Sequence, residues 1–315
     1  MIKNFKLKKN IDCFNMALLV SSKYYGLESR KIFVGNYYFN YKKEKCDLFN
    51  EATCLEVVSN NIIIWDKNKL TIGDIDLLPR CFDKNTKIMI EQITQILDRS
   101  LILIITTDTY NLDWCQYYKK KHNLHLITVI GYDNNSLIGE DPFFTDKLVR
   151  ISTKVVKQAF FIVQPVEKCH ERYDYSQELL FNMNKYQNEF LKCSEKKTNE
   201  FISDLICFDT SGASKNVVQD MYLLLRLKAI ENNRICYLEL LNEVDMRRFE
   251  EPIGLIKNSI TSWVEFRVIL TKALFKSNVE SKSEILKEKM KKICANDKQI
   301  ASLMQREINT KQRIL

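Results

Sequence analysis

Apolar positions along the chain follow two rhythms, and the change comes near residue 165. Before it, short β-branched runs bounded by polar residues read as strands: Ile62–Trp65, Leu101–Thr106, Leu126–Ile130 and Leu137-Ile138. Asn134-Asn135 tolerates the left-handed turn region, so the last two runs read as a hairpin. Lys147–Ile151 extends the expected sheet, and Val155–Phe161 adds one short element. Two segments keep helical spacing instead. Phe14, Ala17, Leu18, Ser21 and Tyr24-Tyr25 form a stripe that Asp12 caps and Gly26 ends. Ile88, Ile90, Ile93, Ile96 and Leu97 mark a second helix over 86–99.

After Pro165 the strand signal is lost. The ranges 179–192, 198–208, 217–232, 235–249, 259–275 and 282–315 all repeat apolar residues at helical spacing. Asn232-Asn233 and Pro252-Ile-Gly254 read as breaks between helices, and Ile285, Met290, Ile293, Ile300, Met304 and Ile308 form a stripe in the last range. The expected class is α+β, with a mixed domain over 1–168 and an all-helical domain over 169–315.

Composition narrows the function. At 45% apolar and 28% charged, the chain has globular proportions, and only seven glycines and four prolines argue against a turn-rich all-β protein. The net charge of +8 is mild. Its densest runs, Lys6-Leu-Lys8-Lys9 and Lys119-Lys120-Lys121, lack the interleaved aromatics or glycines of a nucleic-acid surface. They read as solvated faces, the second being a landing place for an acidic partner if it has a function. No nucleic-acid partner is expected. Ten cysteines without a Cys-x-x-Cys pair read as reduced thiols, which sets the expectation of a cytoplasmic protein. The apolar run after Cys13 is short and interrupted for a signal peptide, and no stretch reaches bilayer length, so no membrane association is expected.

Candidate chemistry is confined by the histidines, of which there are three: 122, 125 and 170. His125 heads an apolar strand, and Asp141-Pro142 closes the second arm of the expected hairpin, which can bring the two side chains together. Cys13 stands where the first helix begins, and backbone N–H groups there favour a thiolate and can hold an oxyanion. Each residue has a plainer reading: one buried thiol among ten, a structural histidine, a turn-forming Asp before Pro. Together they make a Cys–His–Asp site, with Cys13 as nucleophile, His125 as general base and acid, and Asp141 fixing the imidazole tautomer. His122 and His125 make a His-x-x-His without further ligands nearby, so no metal and no cofactor are expected.

The block Asp108-Thr-Tyr110-Asn-Leu112-Asp-Trp114, Tyr117-Tyr118, His122, His125 through Gly131-Tyr132-Asp133, then Asp141-Pro142 resembles a known family. It is similar to the papain-like family typified by the N-terminal domain of the butirosin biosynthesis protein H. The likeness spans residues 10–165, and the Gly-Tyr-Asp and Asp-Pro punctuation is shared with papain-like peptidases. It implies a papain-like fold and a thiol-dependent acyltransferase of secondary-metabolite (antibiotic) biosynthesis. Such an enzyme moves an acyl group from an acyl or peptidyl carrier protein to a small-molecule or peptide acceptor bearing an amine or alcohol. It also implies that Asp108 and Tyr110 line the cleft, for which a capping Asp and a packed Tyr are the plain alternative. Asn10, just upstream of Cys13, is the candidate second oxyanion donor. A peptidase or amidase with the same triad, and a catalytically silent papain-like binding scaffold, remain open at this point. So does a homo-oligomer through the C-terminal helices.

Overall fold

The computed structural model describes residues 11–34, 37, 70–83, 85–133, 136–157, 159–166, 175–206, 222–245 and 249–312. Asn10, His170, the expected strand Ile62–Trp65 and the Asn134-Asn135 turn lie outside them. The chain is α+β and divides into two compact units, one of residues 1–32 and 62–171, the other of 33–61 and 172–315. Phe33, Val34 and Tyr37 therefore belong to the second unit, although the sequence reading gave everything before residue 169 to the first.

In the first unit, helix α1 (Cys13–Tyr24) starts at Asp12, whose side chain accepts from the Asn15 backbone N–H at 2.8 Å. It ends at Gly26, whose φ of +63° suits a residue without a Cβ. The sheet comprises β1 (Leu70–Ile72), β2 (Ile75–Cys81), β3 (Ile102–Asp108), β4 (Leu124–Asp133), β5 (Ser136–Glu140), β6 (Leu148–Ser152) and β7 (Ala159–Pro165). Its seven strands run in the order β1-β2-β7-β3-β4-β5-β6, and every adjacent pair is antiparallel. Strands β3 to β6 form a meander, and β7 returns to pair between β2 and β3. The expected element Val155–Phe161 is instead a 3-10 turn, Thr153–Val155, followed by β7.

Strand alternation assigns the two helices to opposite faces of the sheet. Thr128 of β4 donates its hydroxyl to the Ala17 carbonyl of α1 at 3.3 Å, and Phe14 meets Phe161 edge-on at 6.4 Å. Their strand neighbours Ile127, Val129 and Phe160 point the other way, into an apolar cluster with Met89 and Ile93 of helix α2 (Thr86–Leu97). At 25–30 cal/mol per Å² of apolar area removed from water, each such fully buried aliphatic contributes about 2 kcal/mol. Gly139 of β5 is required by close approach. A Cβ there would sit 2.8 Å from the Thr128 carbonyl oxygen and 2.9 Å from Ile151 Cδ1. It sits beside a bulge in the β4–β5 pairing, between Val129 and Gly131.

The second unit contains α3 (Tyr175–Glu189), α4 (Ser194–Ile206), α5 (Tyr222–Asp245), α6 (Glu250–Phe275) and α7 (Ser283–Gln312). Two breaks expected from sequence are absent. Asn232-Asn233 lies inside α5, because Ile230, Arg234, Cys236 and Tyr237 around it are buried and packing outweighs the weak propensity of Asn. Pro252 sits in the first turn of α6, where a missing N–H breaks no helical bond, and the helix runs on through Gly254. At the centre, fully buried Arg234 grips Asp297 with both terminal nitrogens, Nη1 to Oδ1 at 2.8 Å and Nη2 to Oδ2 at 2.6 Å. Tyr37 and Tyr186 each donate to Asp297 at 2.6 Å, and Ser259 donates at 2.9 Å. Removing one partner of such a pair strands a buried charge, which typically costs about 3–5 kcal/mol. Among the described residues, no helix is long and apolar enough to cross a membrane.

Candidate functional site

The β4–β5 hairpin puts two of the candidate residues together. Thr128 pairs with Glu140, so Asp141 comes one residue beyond the last pair and reaches diagonally back toward His125. His125 Nε2 and Asp141 Oδ1 are 3.0 Å apart, with 3% and 2% of the two residues exposed. The Asp141 carbonyl also accepts from Phe144 N at 3.1 Å and Thr145 N at 3.0 Å, so the turn-forming role of this residue is present as well. The His125 ring packs against Phe144 at 4.8 Å and Phe143 at 5.5 Å. With Nε2 engaged by Asp141, Nδ1 is the ring nitrogen left for proton transfer.

The second carboxylate oxygen has a partner that the sequence reading missed. Trp114 donates its indole Nε1–H to Asp141 Oδ2 at 2.8 Å. Trp114 stands within the aromatic-rich block after β3, but nothing local marks an indole whose acceptor is a hairpin away.

Cys13 takes the first position of α1, as expected, but its electrostatics run against the expectation of a ready thiolate. Burial pushes the thiol up to about 12, and the neighbouring Asp12 carboxylate adds to the rise. The Leu126 backbone N–H, hydrogen-bonded toward the sulfur, works in the other direction, while the Asp141 charge again raises it. The helix N-terminus is outweighed first by burial and then by Asp12, which caps it: Oδ1 takes the Asn15 N–H at 2.8 Å and Oδ2 takes Asn15 Nδ2 at 3.0 Å. Among the described residues, no hydrogen bond joins Cys13 to His125. Alternation explains this, since His125 shares the face of Ile127 and Val129 whereas α1 crosses the Thr128 side. The thiol is held at the same strand end, against Leu126.

Asp108 and Tyr110 form a separate cluster, and among the described residues no hydrogen bond joins it to Cys13, His125 or Asp141. Asp108 caps a 3-10 turn through Tyr110 N at 3.0 Å and pairs with His122 Nδ1 at 2.7 Å. The Tyr110 ring stacks on His122 at 4.2 Å, and Lys119 Nζ lies 4.8 Å from the Tyr110 centroid. Burial alone would raise the Asp108 carboxyl, but its bonds to His122 and the Tyr110 N–H hold it below the usual carboxylate range. The register carries this cluster one pair beyond Thr107–His125, at the same end of the sheet. Among the described residues, no group of three or more His, Cys, Asp or Glu side chains could hold a metal ion.

No protein-family model matches this sequence, and no curated protein matches it either.

Proposed function

We propose that the first unit is a papain-like, thiol-dependent acyltransferase of secondary-metabolite biosynthesis, with Cys13, His125 and Asp141 as its triad. The observation that carries this reading is the buried His125–Asp141 pair at 3.0 Å, formed at the strand end where the Leu126 N–H faces the Cys13 sulfur. A thiol pushed up to about 12 rests protonated, so the reaction runs by general-base attack and not from a standing thiolate. The step requires the Cys13 thiol to reach His125 Nδ1 around the strand end, where its proton passes to the ring as sulfur bonds to the thioester carbonyl carbon. The carrier thiol then leaves with that proton, and an amine or alcohol repeats the sequence in reverse, taking the acyl group. Asp141 holds Nε2–H throughout and stabilises the transient imidazolium. The exposed Lys119 and Lys120 support an acidic carrier protein as the donor.

A catalytically silent papain-like scaffold is the second reading, favoured by the raised thiol and by the missing Cys13–His125 bond. Intact-mass spectrometry of the protein with a panel of acyl N-acetylcysteamine thioesters separates the two. Acyl transfer requires an adduct on Cys13 that disappears in Cys13→Ala and is released by an added amine faster than by water. Absence of any adduct across the panel sinks the enzymatic reading and leaves the scaffold. Release to water alone turns the reaction into hydrolysis.

A further inference from the structure

We infer that Trp114 is a positioning residue that sets the proton-accepting face of His125 by locking the Asp141 carboxylate. This inference rests on the triad reading above and names a residue outside that triad. Asp141 is 2% exposed, so solvent offers its oxygens little. Oδ1 faces His125 Nε2 at 3.0 Å and Oδ2 faces Trp114 Nε1 at 2.8 Å. These two contacts fix rotation about the Cβ–Cγ bond, because each oxygen is held by a different donor. An indole can donate and cannot accept, so Oδ2 is permanently assigned to Trp114 and Oδ1 to the imidazole. Neutral His125 is thereby held as the Nε2–H tautomer, and its lone pair is placed on Nδ1.

The indole is itself anchored. Trp114 lies between Leu112, fully buried, and Cys115, 4% exposed, both in the apolar cluster under α2. Successive turns fix the segment: Cys115 N donates to Leu112 O at 3.0 Å, Tyr117 N to the Cys115 sulfur at 3.3 Å, and Tyr118 N to Cys115 O at 3.0 Å. The orientation of a buried histidine on the hairpin is thus controlled from the loop that follows β3. If the N–H is deleted, Oδ2 becomes a buried acceptor without a donor, and the carboxylate turns to share His125 between both oxygens. The imidazole then loses its single orientation.

The test is ¹⁵N NMR of the imidazole rings, with three histidines and three tryptophans to assign in the chain. Wild type is expected to show His125 as the Nε2–H tautomer alone. Trp114→Phe keeps an aromatic ring in the cluster but removes the donor, and is expected to keep Nε2–H while shifting and broadening its ¹⁵N resonance, because the carboxylate then shares that proton between two oxygens. A purely packing role for Trp114 changes melting temperature and leaves the His125 ring resonances untouched, which would overturn the inference. Should Trp114→Phe not fold, the wild-type indole N–H resonance decides. Slow exchange and a shift that follows His125 through its titration support the lock; an indole N–H blind to that titration overturns it. The acyl-adduct assay on Cys13 is read separately, so loss of transfer activity from the proposed function leaves the tautomer result standing.

Discussion

Among the described residues, the first unit holds two His–Asp pairs at one end of its sheet, and they differ in almost everything except distance. His122–Asp108 closes at 2.7 Å with 69% of the histidine side chain exposed, whereas His125–Asp141 closes at 3.0 Å with 3% exposed. The shorter contact is the weaker one in consequence. An exposed pair exchanges water bonds for its own and is screened by salt, so it contributes at most about 1 kcal/mol. The buried pair has no such exchange partner: each side chain depends on the other, and Asp141 depends on Trp114 as well. Accessibility divides the roles, one pair ordering a surface turn, the other fixing a ring that the proposed chemistry uses.

The largest test of that division is Asp141→Ala, expected to lower the rate of Cys13 acylation by about 10²-fold or more, measured by timed intact mass. Next in size is Gly139→Ala. Its new Cβ would meet the Thr128 carbonyl oxygen at 2.8 Å, and displacing the strand that carries Asp141 is expected to cost about 1–3 kcal/mol in urea unfolding. A smaller effect is expected at the thiol, where Asp12→Asn keeps a good helix cap and removes a charge that raises the Cys13 pKa. Iodoacetamide should then modify Cys13 a few-fold faster at neutral pH, still far short of an open thiol because burial remains the main cause. The smallest belongs to the exposed pair. Asp108 is held below the usual carboxylate range, so its contribution is present above the unfolded value and is lost as pH falls through the folded one. Asp108→Asn should therefore cost about 0.5 kcal/mol near neutrality, fade in acid, and shrink further in high salt.

Sequence patterning carried the meander because its strands are short β-branched runs bounded by polar residues, and carried α1 because its cap and its terminating glycine are local signals. Strands β1 and β2 gave no comparable signal: Pro79-Arg80 interrupts the apolar alternation of β2, and the pairing with β7 that steadies it is far away in sequence. Helices α5 and α6 erased two punctuation marks, since neither the burial around Arg234 nor the offset of Pro252 within a first turn can be read from the residues themselves. At the site, the approach of His125 and Asp141 was legible as a hairpin geometry. Trp114 was not, because a donor's value lies in its acceptor. The raised thiol of Cys13 was also hidden: the helix N-terminus is visible in sequence, but the desolvation and the Asp12 charge that override it at this half-buried residue are not.

The bond between Tyr37 and Asp297 spans 260 residues of chain within a single packed unit. At a synthesis rate of roughly 5–20 residues per second, the phenol leaves the ribosome about 13–50 seconds before the carboxylate that accepts its proton. Within that interval, once β7 has been made, the sheet of the first unit can close, while Tyr37 still waits for its acceptor. The cell thus holds a partly finished protein whose last-made helix completes its first-made contact, and chaperone demand should peak in that window.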